Sequence, residues 1–208
     1  MNLVNKNTAL TSLKTDGAAA PSTIGTATNV HVTDGAQWLN YASGIVANDE
    51  GGLASLFSMT RFDRRPIFDS AIRTGGVITV SRIWCGLFSA DPMASATPAV
   101  HLMAFRRDTS AGDANWQAVT DNGSGTPTVT NTGITVAIDQ SNRFSIVVDS
   151  AGANVRFYID EVLVATHTTT LPGATTNLGY VHKIRTLEAV AKSIRFSKLL
   201  ITEKRSGS

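Results

Sequence analysis

From Val30 onward the chain alternates short apolar runs with clusters of turn-forming residues. The run Trp38-Leu39-Asn40-Tyr41-Ala42-Ser43-Gly44-Ile45-Val46 gives way to Asn48-Asp49-Glu50-Gly51-Gly52, and a second run extends from Leu53 to Met59. Others occupy residues 66–74, 77–88, 100–106 and 116–120, divided by Gly, Pro, Asp and Asn. The densest break is Asp121-Asn122-Gly123-Ser124-Gly125-Thr126-Pro127, built almost wholly of residues that favour turns. The runs are rich in β-branched residues and none has a helical period. This spacing predicts an all-β sandwich or barrel.

The clearest local structure lies between Arg143 and Thr169. Phe144 to Asp149 reads as a strand and 150–154 as a turn. Val155-Arg156-Phe157-Tyr158-Ile159 alternates before the tight turn Asp160-Glu161, and Val162-Leu163-Val164-Ala165-Thr166 returns. That is a meander of three antiparallel strands. Two more strands are expected over 178–187 and 194–202. This last part of the chain carries Lys183, Arg185, Lys192, Arg195, Lys198, Lys204 and Arg205. Charged and apolar positions alternate there, as on a sheet with one solvated face; a basic stripe against an acidic partner is the alternative.

Residues 1–28 have a different character, small, polar and full of breakers around Thr15-Asp16-Gly17-Ala18-Ala19-Ala20-Pro21. They predict an N-terminal arm (1–28) ahead of the sandwich (29–203) and a short tail (204–208). Leu3, Val4, Leu10 and Leu13 are apolar anchors through which such an arm would order against a neighbouring subunit. A frayed terminus is the plainer reading.

Composition narrows the classes. At 208 residues and 42% hydrophobic, the chain suits one domain with a core that needs no disulfide or metal. Only 16% of residues are charged, and only Glu50, Glu161, Glu188 and Glu203 are glutamates. A net charge of +2 with a pI near 8.9 is too weak a bias to require nucleic acid or an anionic membrane. The lone Cys85 lies in an apolar run and reads as a small buried hydrophobe. No apolar stretch approaches the ~20 residues of a bilayer span, and the first residues lack a signal-peptide pattern. His31, His101, His167 and His182 are scattered without zinc spacing, and Asp108 to Asn115 does not fit a calcium loop. Neither a metal nor a cofactor is expected.

The segment Phe157-Tyr158-Ile159-Asp160-Glu161-Val162-Leu163-Val164-Ala165-Thr166-His167-Thr168-Thr169-Thr170-Leu171-Pro172 is similar to a hairpin of concanavalin A-like jelly-roll domains. In particular it resembles those of tailed-phage virion proteins, where segments like Arg82-Ile83-Trp84-Cys85-Gly86-Leu87-Phe88-Ser89 and Leu178 to Thr186 also recur. The likeness spans roughly residues 36–202 and is strong from 142 onward. It implies a two-sheet antiparallel jelly roll, and roles in glycan hydrolysis, glycan binding or a virion. Glu161 departs from the pattern, which prefers Gly there. A type I′ turn needs positive φ at that position, so the turn is either strained or of another type.

The glucanases of this fold carry Glu-x-Asp-x-x-Glu on one strand, aiming alternate carboxylates into one cleft. None of the four glutamates lies in such a motif. No nucleophile elbow or phosphate loop occurs either, so no catalytic residue is assigned and a non-enzymatic protein is expected. For a sugar site the best local match is Asp113, Asn115 and Trp116, with Asp121 and Asn122 nearby in sequence. The competing account, favoured here, puts Trp116 in the core and the polar residues in turns. The resemblance then implies a virion component, a capsid decoration or tail-associated protein assembled in the host cytoplasm. Its partners would be its own copies, as a trimer, and other virion proteins such as the major capsid protein. The alternative is a module that binds host-surface glycans.

Overall fold

The computed structural model describes residues 22–24, 26–31, 37–149 and 151–203, with side chains from Trp38 onward. Among the described residues the alternation resolves into fifteen strands. They are β1 (Ser22–Ile24), β2 (Thr26–His31), β3 (Gln37–Ala42), β4 (Glu50–Ala54), β5 (Thr60–Arg61), β6 (Pro66–Thr74), β7 (Ser81–Phe88) and β8 (His101–Asp108). After these come β9 (Asn115–Asn122), β10 (Thr128–Thr135), β11 (Ser141–Val148), β12 (Val155–Ile159), β13 (Val162–His167), β14 (Asn177–Thr186) and β15 (Ser193–Glu203). The described residues contain no α-helix. One sheet has the order β1-β4-β14-β7-β8-β9-β10, with β5 beside β14; the other runs β13-β12-β11-β6-β15-β3-β2. Every pairing is antiparallel. The expected two-sheet jelly roll is therefore the observed fold.

Inward side chains of the two sheets make one core. Ile83, Cys85, Leu87, Met103, Phe105, Trp116, Tyr180 and Ile184 from the first sheet meet Phe68, Ile72, Phe144, Ile146, Phe157, Ile194 and Phe196 from the second. Cys85 is fully buried, and burial pushes its thiol well above the ordinary range. The strand β7 is buried on both faces, which explains its unbroken apolar run. Its outer residues Trp84 and Phe88 lie in a second cluster with Leu102, Ala104, Val119 and Val181. That cluster is covered by Met93 and Val100 of the segment between β7 and β8.

The meander read from sequence is β11-β12-β13 at one edge of the seven-stranded sheet. Its tight turn has Asp160 at φ 50° and Glu161 at φ 70°. Both central residues are thus left-handed, and Glu161 occupies a conformation suited to glycine. Asp160 secures the turn: its carboxylate accepts from Arg143 N at 2.7 Å and Asn142 Nδ2 at 2.8 Å. The basic residues near the C-terminus do not form one stripe, because β14 and β15 belong to different sheets. Lys183 and Lys192 are buried, while Lys198 is on the outer face of the seven-stranded sheet beside Asp69. Leu3, Val4, Leu10 and Leu13 lie outside the described residues, as does the tail 204–208; residues 22–24 and 26–28 of the expected arm are in β1 and β2.

Candidate functional site

The residues singled out for a sugar site do not converge. Asp113, Asn115 and Trp116 lie where β9 begins, and Asp121 and Asn122 where it ends, so the strand itself separates them. Each is engaged locally. Asp113 accepts from Arg106 Nε at 2.8 Å and from Asp108 N at 2.9 Å. Asn115 Nδ2 donates to Asn131 Oδ1 at 3.0 Å. Trp116 is 1% exposed and meets Phe144 edge-on at 4.9 Å, so it offers no platform to a sugar ring. Asp121 is buried and accepts from Ser124 N at 2.9 Å, while the exposed Asn122 shapes the same turn. Trp38 and Trp84 are also buried, as their apolar runs implied.

A different set of polar groups assembles on the outer face of the eight-stranded sheet. Strand pairing aligns Glu50, Arg185, Arg82 and Asp108 in one row across β4, β14, β7 and β8. The adjacent row is Gly52, Lys183, Trp84, Arg106 and Gln117. Alternate residues of a strand face the same side, so two-residue steps such as Arg82 to Trp84 and Lys183 to Arg185 build both rows. Gly52 makes room: a Cβ there would lie 2.1 Å from His182 O and 2.9 Å from Lys183 Cγ.

Every cation in these rows has a carboxylate. Arg82 Nε reaches Asp108 Oδ2 at 2.5 Å, and Arg106 is held bidentately by Asp113. Burial acts to raise the Asp108 carboxyl, but hydrogen bonds from Ser110 and Arg82 outweigh it and hold the group below the usual carboxylate range. Both arginines also tie down the covering segment, Arg82 Nη1 donating to Met93 O at 2.8 Å and Arg106 Nη1 to Ala96 O at 2.7 Å. The Arg106 guanidinium lies 5.8 Å from the centre of the Trp84 ring. Lys183 Nζ, completely buried, binds Glu50 Oε2 at 3.2 Å and also the Asp91 carboxylate. Arg185 Nε donates to the other Glu50 oxygen at 3.0 Å.

Near β4 and β14 this face opens to solvent. Asp91, Arg185 and Glu50 have side chains 44%, 19% and 12% exposed, whereas Lys183, Trp84, Arg82 and Arg106 lie beneath or behind the covering segment. This rim presents two carboxylates and a guanidinium side by side, a set that both donates to and accepts from hydroxyl pairs. All four glutamates are in ion pairs: Glu50 here, Glu161 with Arg143, Glu188 with Lys192 and Glu203 with Arg64. Among the described residues no three His, Cys, Asp or Glu side chains gather as metal ligands. The sequence reading missed Glu50, Asp91, Lys183 and Arg185 as a group; the available signal was ionised residues at two-residue steps inside otherwise apolar strands.

No protein-family model matches the chain, and no curated protein sequence matches it. Solved structures do. An endo-β-1,4-glucuronan lyase from the fungus Trichoderma reesei superposes with a TM-score of 0.60 at 9% identity, over 90% of this chain and 92% of its own. A family 16 glycoside hydrolase from Bacteroides ovatus gives 0.58 at 11%, over 85% of each chain. The carbohydrate recognition domain of Emp47p gives 0.57 at 11%, over 88% of each. The chain thus has the concanavalin A-like jelly roll shared by lectin and glycoside hydrolase domains. The likeness carries nothing about a virion. It also corrects the expectation of a non-enzymatic protein. Lyases and hydrolases use this fold, so one missing glucanase motif does not set the chain apart from them. At 9–11% identity the likeness defines the fold family and assigns no activity.

Proposed function

We propose that this protein is a carbohydrate-binding jelly-roll domain that holds saccharide at the Glu50–Asp91–Arg185 rim of its eight-stranded sheet. The observation that carries the reading is the compensated row of ionised side chains on the outer face of that sheet. A merely solvated sheet face needs no such row, and here it opens to solvent in a fold shared with carbohydrate recognition domains. Its charge balance points to the ligand class. Glu50 and Asp91 offset Lys183 and Arg185, so a polyanion would gain no net field there. A neutral saccharide engages carboxylate and guanidinium alike through adjacent hydroxyls.

The test is a glycan array carrying neutral and uronate-containing oligosaccharides, followed by titration calorimetry with wild type, Asp91→Ala and Arg185→Ala. Asp91 is 44% exposed, and in Asp91→Ala the buried Lys183 ammonium keeps Glu50; far-ultraviolet circular dichroism of both variants checks that the fold is retained. Saturable binding to neutral glycans, weakened about tenfold or more in both variants, is the expected result; one lost charge-assisted hydrogen bond of 1.5–3 kcal/mol corresponds to roughly that factor. Binding that survives in both variants, or none to any glycan, overturns the proposal. Trp116→Ala is unsuited to this test, because the ring is part of the core.

A further inference from the structure

Lys183 holds two carboxylates where an ion pair needs one. Its ammonium, 1% exposed, reaches Glu50 Oε2 of β4 at 3.2 Å and the Asp91 carboxylate of the segment between β7 and β8. Cross-strand pairing puts the fully buried Trp84 on one side of Lys183 and Gly52, which has no side chain, on the other. An amine and a carboxyl group are thus in contact, with the amine shielded from bulk solvent and a second carboxylate within its reach. Both carboxylates are oriented. Asp91 Oδ1 accepts from Met93 N at 3.0 Å, which leaves Oδ2 to Lys183 Nζ. Met93 is itself fixed, since its side chain is buried and its carbonyl accepts from Arg82. Glu50 Oε1 accepts from Arg185 Nε at 3.0 Å, which leaves Oε2 to the same Lys183 nitrogen.

We infer that Lys183 and Asp91 condense to an intramolecular isopeptide bond, with Glu50 carrying a proton between them. Nζ gives one proton to Oδ2 and, as a neutral amine, attacks Cγ. The negative charge that develops on Oδ1 is met by the Met93 N–H. Glu50 takes a second proton from Nζ and passes it to Oδ2. The Cγ–Oδ2 bond then breaks, and Oδ2 leaves as water through the exposed side of Asp91. One N–C bond forms and one C–O bond breaks, Glu50 ends as it began, and no oxidant or further reactant is needed. Condensation in water is unfavourable between free molecules, but groups held in place react at effective molarities on the order of 10⁵–10⁸ M, which offsets that.

The product replaces a buried ammonium, which is costly to keep out of water, with a neutral amide. It also ties the covering segment to β14 across 92 positions of sequence. One cation and one carboxylate disappear together, so Glu50 and Arg185 still balance at the rim and Asp91 keeps an acceptor oxygen there. The bond therefore does not depend on whether the rim holds a saccharide.

Mass spectrometry of the denatured full chain tests this. Wild type should be lighter than its sequence by one water, about 18 Da. Trypsin should leave a branched peptide that joins residues 83–106 to residues 157–185 and is uncut after Lys183. Glu50→Gln should keep its full sequence mass while its far-ultraviolet circular dichroism stays that of wild type. A wild type at its full sequence mass overturns the inference whatever the variant does. So does a lost water found in a linear peptide, or a branch that runs to Glu50 instead of Asp91. Loss of water in Glu50→Gln overturns the role given to Glu50. Every one of these readings is made without saccharide, so a failure to bind glycans leaves them unchanged.

Discussion

His182 should make this protein lose stability in mild acid, well before its carboxylates titrate. The ring is fully buried between the sheets, stacked between Phe68 at 5.4 Å and Phe196 at 5.3 Å. Ser70 Oγ gives its one proton to Lys198 O at 2.9 Å, so His182 Nε2 is the donor in its 2.7 Å contact with Ser70. Nδ1 has no partner. Protonation would place an uncompensated N–H and a full charge among aromatic rings, and burial pushes the group down to about 3. His167, held between Thr120 at 2.9 Å and Thr130 at 3.0 Å, is pushed down to about 4 by the same cause. Both folded values lie below the unfolded value near 6.5, so the unfolded chain binds more protons as the pH falls. The stability that neutral His182 and His167 contribute is complete above pH 6.5, and it is lost progressively towards pH 4 and below. Each group approaches a cost of about 1.4 kcal/mol per pH unit once the unfolded imidazole is mostly protonated, so the pair removes about 3 kcal/mol between pH 6.5 and 5. Asp69 and Asp108 are held below the usual carboxylate range, and their loss begins only in stronger acid.

Urea unfolding followed by tryptophan fluorescence at pH 7, 6 and 5 measures the slope. In His182→Phe the aromatic stack is kept and Ser70 keeps its bond to Lys198 O. Stability at pH 7 should change by less than about 1.5 kcal/mol, and the slope should fall by one proton. A wild-type stability flat between pH 6.5 and 5, or an unchanged slope in the variant, refutes the reasoning.

Two further outcomes rest on single features. Glu161→Gly relieves a left-handed residue in the β12–β13 turn and gives up only an exposed pair with Arg143; it should add about 1 kcal/mol and raise Tm by roughly 2–4 °C in calorimetry. Arg106→Met strands the buried Asp113 carboxylate and should cost about 3–5 kcal/mol in urea unfolding, most of it recovered when Asp113→Leu is added.

Local features were legible in the sequence where one strand or one turn determines them. The β11-β12-β13 meander, the burial of Trp38, Trp84 and Cys85, and the turn at Asp160-Glu161 each follow from neighbouring residues. Even there, glycine preference alone did not reveal that Glu161 takes the left-handed conformation, because the Asp160 carboxylate that secures the turn bonds to Asn142 and Arg143 of another strand. The residues picked out for a sugar site do not converge, for a related reason. Asp113 to Trp116 and Asp121 to Asn122 are close in number, but a strand is extended and carries its two ends far apart.

The rim at Glu50 had the opposite fault. Lys183 lies 133 positions from Glu50 and 92 from Asp91 in sequence, and only the β4-β14-β7 order brings the three together. Read alone, Lys183-x-Arg185 looks like a wet sheet face; a buried ammonium becomes tolerable only when carboxylates from two other segments meet it. The scarcity of glutamate takes its meaning from the same geometry. Each of the four is paired with a cation, Glu50 and Glu188 with buried lysines and Glu161 and Glu203 with arginines at the surface. With a net charge of only +2, the protein carries little net charge to steer a partner from a distance. Recognition of a saccharide at the Glu50 rim, as proposed, would then come from short-range hydrogen-bond geometry.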